Sequence, residues 1–175
     1  MTTPPLWQMA SAFAARAHRH DVRNDGRTPY FSHPARVALT VAAIFECRDE
    51  AVLAGALLHD VLEDTKADYD DLDHHFGRRV ADIVSCLSKD KRSIEARREQ
   101  EYDQRLESGP WEAKLIKLAD VYDNLADADT DETCRSMLDR ADRALAVAGG
   151  DQRLQHAVDL LTRLADSTRR KLDSP

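Results

Sequence analysis

Along this chain apolar residues recur three and four positions apart, and almost nowhere do they alternate with polar ones. That is the period of amphipathic helices. Trp7, Ala10, Phe13, Ala14 and Ala17 give one face of a first helix, predicted from Leu6 to about Arg19. A polar loop follows, with Asp25-Gly26 and Pro29 as breakers. A second helix is expected after it, capped by Ser32 or His33, with Pro34 at its first position and Val37, Val41 and Ile44 on one face. Asp49 is placed to cap a third helix, whose Val52, Leu53, Ala56 and Leu57 face the core. Tyr69, Leu72 and Phe76 mark a short helix stopped by Gly77, and Val80, Ile83, Val84 and Leu87 mark the next. A charged break at 88–92 leads into an Arg- and Glu-rich helix, 93–107, which reads as solvated. Trp111, Leu115, Leu118, Tyr122 and Leu125 stripe a long helix from Trp111 to Asp127. Two more helices, about 131–147 and 151–171, are split by Gly149-Gly150. No run of alternating residues bounded by turns suggests a strand, so the expectation is all-α.

One segment departs from plain amphipathicity. In Gly55-Ala-Leu-Leu-His59-Asp60-Val-Leu-Glu63-Asp64-Thr65 an apolar run ends in adjacent His and Asp, and Glu and Asp follow four residues later. On a continuous helix Glu63 would stack over His59 and Asp64 over Asp60. Four polar groups crowded at one end of an apolar segment suit a metal site with its own acid–base group better than a structural helix.

Composition narrows the class. The chain has 175 residues, 42% hydrophobic and 33% charged, which fits one globular domain over 1–175. Its net charge of −7 argues against a nucleic-acid partner, which would need a basic surface. An anionic small molecule held in a local basic pocket is compatible with it. Cys47, Cys86 and Cys134 are sparse and have no zinc-type spacing, as expected in a reducing, cytoplasmic setting. Neither a signal peptide nor a run long enough to cross a membrane is expected. The helix at 93–107 and the last helix are candidate faces of a homodimer.

Four polar residues lie in apolar helical surroundings: His33, His59, Asp60 and Asp120. Two imidazoles and two carboxylates suit Mn²⁺, Fe²⁺ or Zn²⁺ with positions left open. His59 and Asp60 point about 100° apart on a helix, so one ion can sit between them. His33 and Asp120 must come from other helices, as in bundle metal sites. Glu63 and Asp64 could then orient a water or take its proton. Arg23, Lys89, Lys91, Lys117 and Arg140 are candidate cations for phosphate oxygens. His18, His20, His74 and His75 have polar neighbours and are expected to be exposed.

The order His33, His59-Asp60, Asp120 resembles the H…HD…D signature of the HD-domain metal-dependent phosphohydrolases. The longer motifs Thr28-Pro-Tyr-Phe-Ser-His33-Pro34, Leu58-His59-Asp60-Val-Leu-Glu63-Asp64-Thr65, Phe76-Gly77 and Lys114-Leu-Ile-Lys117-Leu-Ala-Asp120 are similar to the hydrolase domain of RelA/SpoT homologues and to small alarmone hydrolases. The resemblance implies an HD-type helical bundle of roughly eight to ten helices around a single metal site. It implies one Mn²⁺ (Fe²⁺, Zn²⁺ or Mg²⁺ in its place) on His33, His59, Asp60 and Asp120, with Glu63 and Asp64 as the catalytic pair. It also implies a nucleotide substrate losing a 3′-pyrophosphate, with Arg23, Lys91, Lys117, Asn124 and Arg140 as substrate-binding residues. Two segments depart from the family pattern. Arg23 is followed by Asn24 instead of Lys, and Val121-Tyr-Asp-Asn124-Leu-Ala126 lacks the basic residues that flank this turn in the family. An adenosine alarmone, NADPH or another phosphorylated nucleotide therefore stands as an alternative substrate, and a non-catalytic nucleotide-binding module as an alternative function.

Overall fold

The computed structural model describes residues 4–89 and 95–174, with side chains described throughout except at 95–100. Its helices are α1 (Leu6–Ala17), α2 (Ser32–Leu39), α3 (Glu50–Leu58), α4 (Val61–Asp64), α5 (Tyr69–Phe76), α6 (Arg78–Leu87), α7 (Glu95–Ser108), α8 (Trp111–Asp127), α9 (Asp131–Ala148) and α10 (Gln155–Leu172). Among the described residues the only β pairing is an isolated bridge between Val22 and Pro29. No described helix is long and apolar enough to cross a membrane.

The middle of the bundle is α3. Seven of its nine residues are buried, and they are small or aliphatic all the way round. A helix apolar on every side must be covered on every side, and α1, α2, α6 and α8 do this. Gly55 is what lets them approach. A Cβ there would meet Ile116 Cδ1 and Ile83 Cγ2, each at 3.0 Å. Asp49 caps α3 as expected, accepting from the amides of Ala51 and Val52. The long helix α8 packs on α2, α3, α6, α9 and α10. Three helices in mutual contact therefore bring the candidate ligands together: α2 carries His33, α8 carries Asp120, and His59-Asp60 follow directly on α3.

Several local expectations are corrected. The second helix starts at Ser32, with Phe31 as its cap residue and no side-chain cap, so Pro34 is its third residue. Pro is tolerated there because the amides of the first turn have no partner within the helix. A π-type turn at Thr40–Ile44 then continues α2 with one residue too many per turn. The extra residue swings Ile44 off the buried face of Val37 and Val41, leaving it 37% exposed. The helix through the central motif is also broken: α3 ends at Leu58, Asp60 heads α4, and the two meet at His59-Asp60. Glu63 does not stack over His59 on a straight helix. The amides of Glu63 and Asp64 instead both donate to the Asp60 carbonyl, at 3.1 and 2.9 Å. Finally, α7 is not simply solvated, because Tyr102 and Leu106 are buried in the core.

His18 is also misplaced by the sequence reading. It is 2% exposed, whereas His20, His74 and His75 are exposed as expected. Its sequence neighbours are polar, but it follows Ala10 and Ala14 at four-residue steps, on the buried face of α1.

Candidate metal centre and cleft

Two imidazole nitrogens and two carboxylates converge where α2, α3 and α8 meet. His33 Nε2 lies 3.2 Å from Asp120 Oδ1 and 3.8 Å from Asp60 Oδ2. His59 Nε2 lies 3.0 Å from Asp60 Oδ2 and 4.0 Å from Asp120 Oδ1. Donor atoms around one first-row ion, at bond lengths of ~2.1 Å, stand about this far apart. One donor atom each of His33, His59 and Asp60 lies within 4.8 Å of the other two.

The far side of each imidazole fixes which nitrogen carries the proton. His33 Nδ1 is 2.7 Å from Asp123 Oδ2, and a carboxylate only accepts, so Nδ1–H donates. His59 Nδ1–H donates to the Ala56 carbonyl at 2.8 Å. Both rings therefore present Nε2 toward the cluster. His59 Nε2 is buried and has no hydrogen-bond partner. A buried nitrogen with no well-aligned hydrogen-bond partner and two carboxylates beside it is a place where a divalent cation can replace a proton. Asp123 is itself clamped by Arg36, whose Nε and Nη2 donate to its two oxygens at 2.7 and 2.9 Å.

Electrostatics point the same way. Burial alone would push the His59 pKa down, but the Asp60 and Asp120 carboxylates outweigh it and raise the value to about 9. Against its own burial, Asp120 is held well below the usual carboxylate range by Lys117, His33 and His59. Lys117 Nζ donates to Asp120 Oδ2 at 2.9 Å, and Asn124 Nδ2 donates to Oδ1 at 2.7 Å. Burial and the Asp60 charge push the Tyr30 phenol upward, so it stays protonated and donates to Asp60 Oδ2 at 2.7 Å.

This cluster forms the floor of a cleft of about 300 Å³. Glu63 and Asp64 line it, and one oxygen of Glu63 accepts the Lys89 amide at 3.0 Å. Arg23, Lys117, Asn124 and Arg140 also line it, so every described residue named from the sequence as ligand, catalyst or substrate contact meets in one place. Lys91 lies outside the described residues. Cations stand at both ends. At one end Arg23 bonds Asn124 Oδ1 at 3.3 Å and Asp127 at 3.1 Å. At the other, Lys89 and Lys117 lie 4.9 and 5.6 Å from the centre of the Tyr102 ring, beside Arg140.

Sequence reasoning missed Tyr30, Arg36, Tyr102 and Asp123. For Asp123 a signal existed: an acid between Val121-Tyr122 and Leu125, on a helix already carrying the candidate ligand Asp120 one turn earlier. Tyr30 sits in the Thr-Pro-Tyr motif but has no periodicity to mark it.

The class follows from fold and site together. The chain belongs to the HD domain family, whose model matches residues 10–145. That family implies a divalent metal, for which His33, His59 and Asp60 are the candidate site. Among individual relatives, it is 40% identical over 116 residues to the guanosine-3′,5′-bis(diphosphate) 3′-pyrophosphohydrolase MESH1 of Danio rerio, covering 66% of this chain and 64% of that protein. It is 42% identical over 82 residues to the bifunctional (p)ppGpp synthase/hydrolase SpoT of Escherichia coli, covering 47% of this chain and 11% of that protein. The chain thus matches under two thirds of the length of the Danio relative. A solved structure described as a metazoan ortholog of SpoT that hydrolyzes ppGpp superimposes with a TM-score of 0.79 at 29% identity, covering 98% of this chain and 99% of that one.

Proposed function

We propose that this chain is a divalent-metal-dependent hydrolase that removes the 3′-pyrophosphate of (p)ppGpp-type nucleotides. The observation that carries this reading is the convergence of two Nε2 donors, two carboxylates, the Glu63-Asp64 pair and cations at both ends in one cleft. The names of the relatives point to the same reaction.

In this reading His33, His59, Asp60 and Asp120 hold one ion, most naturally Mn²⁺ given the mixed imidazole and carboxylate donors. When bound there, such an ion would supply positive charge for the phosphoryl oxygens and lower the pKa of a water toward neutrality. Glu63, anchored by the Lys89 amide, orients the water and takes its proton, and Asp64 assists. The new bond joins water oxygen to the phosphorus on the 3′ oxygen, whose bond to that phosphorus breaks. The proton passes to the 3′ oxygen, giving pyrophosphate and the nucleoside 5′-diphosphate. Lys117 and Arg140 line the cleft where they can face the charge on the oxygens of the pyrophosphoryl group as it passes to water. Asn124 and Arg23 hold the sugar and the far end of the nucleotide. A substrate with phosphates at two positions suits a cleft with cations at both ends.

A second substrate reading has its own support. Arg23 also lines a neighbouring pocket with Asp25, Asp127 and Asp129, and its guanidinium is already engaged by Asp127. Carboxylates accept hydrogen bonds from the exocyclic amino group of adenine as well as from the N1–H and N2–H edge of guanine. A cytoplasmic setting is in keeping with three free cysteines. Incubating the pure protein and Mn²⁺ with (p)ppGpp, adenosine counterparts, NADPH and simple nucleotides tests the choice. Release of pyrophosphate from (p)ppGpp is expected. Release from adenosine compounds alone would move the substrate to the second reading, and nucleotide binding without any release would overturn hydrolysis.

A further inference from the structure

Behind Asp60 stands a set of side chains to which the reading above gives no task. Tyr30 donates its phenol O–H to Asp60 Oδ2, the oxygen that also faces His59 Nε2 at 3.0 Å and His33 Nε2 at 3.8 Å. Its ring stands edge-on to His33 at 6.1 Å, and the Arg23 guanidinium lies 6.0 Å from its centre. On another side His18 packs its ring against Tyr30, centroids 4.8 Å apart.

His18 is unusual for a buried packing residue. Nδ1 is 3.0 Å from Asp21 Oδ2 and must donate to it, because that carboxylate only accepts. The other nitrogen, Nε2, is buried and has no partner. An apolar side chain would fill this space without stranding an acceptor. What histidine adds is a flat ring whose rotation is set by one anchor, Asp21. The same residue holds Tyr30 as well, because the Asp21 carbonyl accepts the Tyr30 amide at 2.9 Å. The intervening loop is closed at its base by the Val22–Pro29 bridge and by the Arg23 amide on the Thr28 carbonyl, at 2.8 Å. Asp21 thus anchors the ring of His18 and the backbone of Tyr30, two residues whose rings pack at a tilt of 38°, and the hydroxyl of that pair ends on a candidate ligand oxygen.

We propose that Asp21, His18 and Tyr30 form a positioning relay for Asp60: Asp21 sets the His18 ring, the ring sets Tyr30, and the Tyr30 hydroxyl holds the Asp60 carboxylate in the rotation that aims Oδ2 between His33 and His59. This rests on the metal reading above. None of the three is a catalytic residue. The hydroxyl takes one hydrogen-bonding position on Oδ2, which is how outer partners commonly orient a ligand. Tyr30 also joins the centre to the cationic rim, since Arg23 lies over the same ring that orients Asp60.

The test is Mn²⁺ binding to the metal-stripped full chain, followed by the electron paramagnetic resonance of free Mn²⁺, with no turnover needed. Tyr30→Phe keeps both rings and removes only the hydroxyl. It is expected to weaken Mn²⁺ binding about tenfold while the thermal midpoint of the metal-free protein stays put. His18→Ala is expected to weaken binding several-fold. In the Tyr30→Phe background it should add nothing, because a relay has one output. Should His18→Ala fail to fold, Asp21→Ala, a change at an exposed position, is read in its place. Equal Mn²⁺ affinity in wild type and Tyr30→Phe would overturn the relay alone, and so would losses that simply multiply in the double variant. Wild-type protein that binds no divalent ion would overturn the metal reading together with the relay.

Discussion

The floor of the cleft and its rim hold their charged groups in opposite ways. On the floor, every candidate ligand is buried or nearly so and each is gripped by a second group: His33 by Asp123, His59 by the Ala56 carbonyl, Asp60 by Tyr30 and Asp120 by Lys117 and Asn124. On the rim, Arg140 is exposed and Arg23 is paired to the half-exposed Asp127 across a loop. The first arrangement sets geometry through packing, and small errors there are costly. The second sets charge through Arg140, which is solvated, and Arg23, which leans on a half-exposed partner, and such contributions are modest and easily changed. The difference separates the part of the cleft whose geometry is fixed by packing from the part whose charge can change at little cost to the fold.

Mutations can break that contrast or sharpen it. The largest effect is expected from His59→Ala, which removes a floor donor. Mn²⁺ affinity should fall by at least ~100-fold and turnover should vanish, as calorimetry and a pyrophosphate assay would show. An active His59→Ala variant would end the idea of a floor-held ion. Next comes Glu63→Gln, expected to lower kcat by ~10²–10⁴-fold with Mn²⁺ affinity unchanged. If Mn²⁺ binding falls in step with kcat, Glu63 belongs to the floor and not to proton transfer. The pH dependence is smaller per step. In the ion-free protein the Asp60 and Asp120 carboxylates hold the His59 proton up to about 9. An ion binding at pH 7 must displace that proton, so affinity should rise with pH, by about tenfold per unit, and level off above 9. Titrations in buffers of different ionisation enthalpy would count the released proton, and a flat profile would remove His59 from the ligand set. The smallest effect is assigned to the rim: Arg140→Ala should raise KM roughly tenfold with Mn²⁺ affinity untouched. A KM left unchanged would mean that Arg140 lines the cleft without touching substrate.

Much of the fold was legible because it rests on local signals. Asp49 caps α3, the backbone of Gly77 takes φ of 80° at the end of α5, and α8 runs from Trp111 to Asp127 as its apolar stripe predicts. The signature residues were also legible, since polar groups in apolar surroundings stand out in one dimension. What escaped was set by partners far along the chain. Tyr30 bonds a residue 30 positions away, and Asp123 bonds one 90 positions away. His18 was misread because polar sequence neighbours say little about which way a helical residue faces. The π-type turn at Thr40–Ile44 and the break at His59-Asp60 leave no mark in a pattern of apolar positions. Tertiary packing imposes both.

The all-round burial of α3 has a consequence for time. Amides in the interior of a bundle exchange with solvent only when much of the molecule opens, whereas those of exposed loops exchange in local, frequent openings. His59 and Asp60 sit at the end of the most deeply enclosed helix, and the Arg140 side chain is exposed on α9. One cleft therefore spans two clocks: a floor that stays assembled as long as the protein stays folded, and an exposed side of the rim whose side chains can reorient many times within each of those lifetimes.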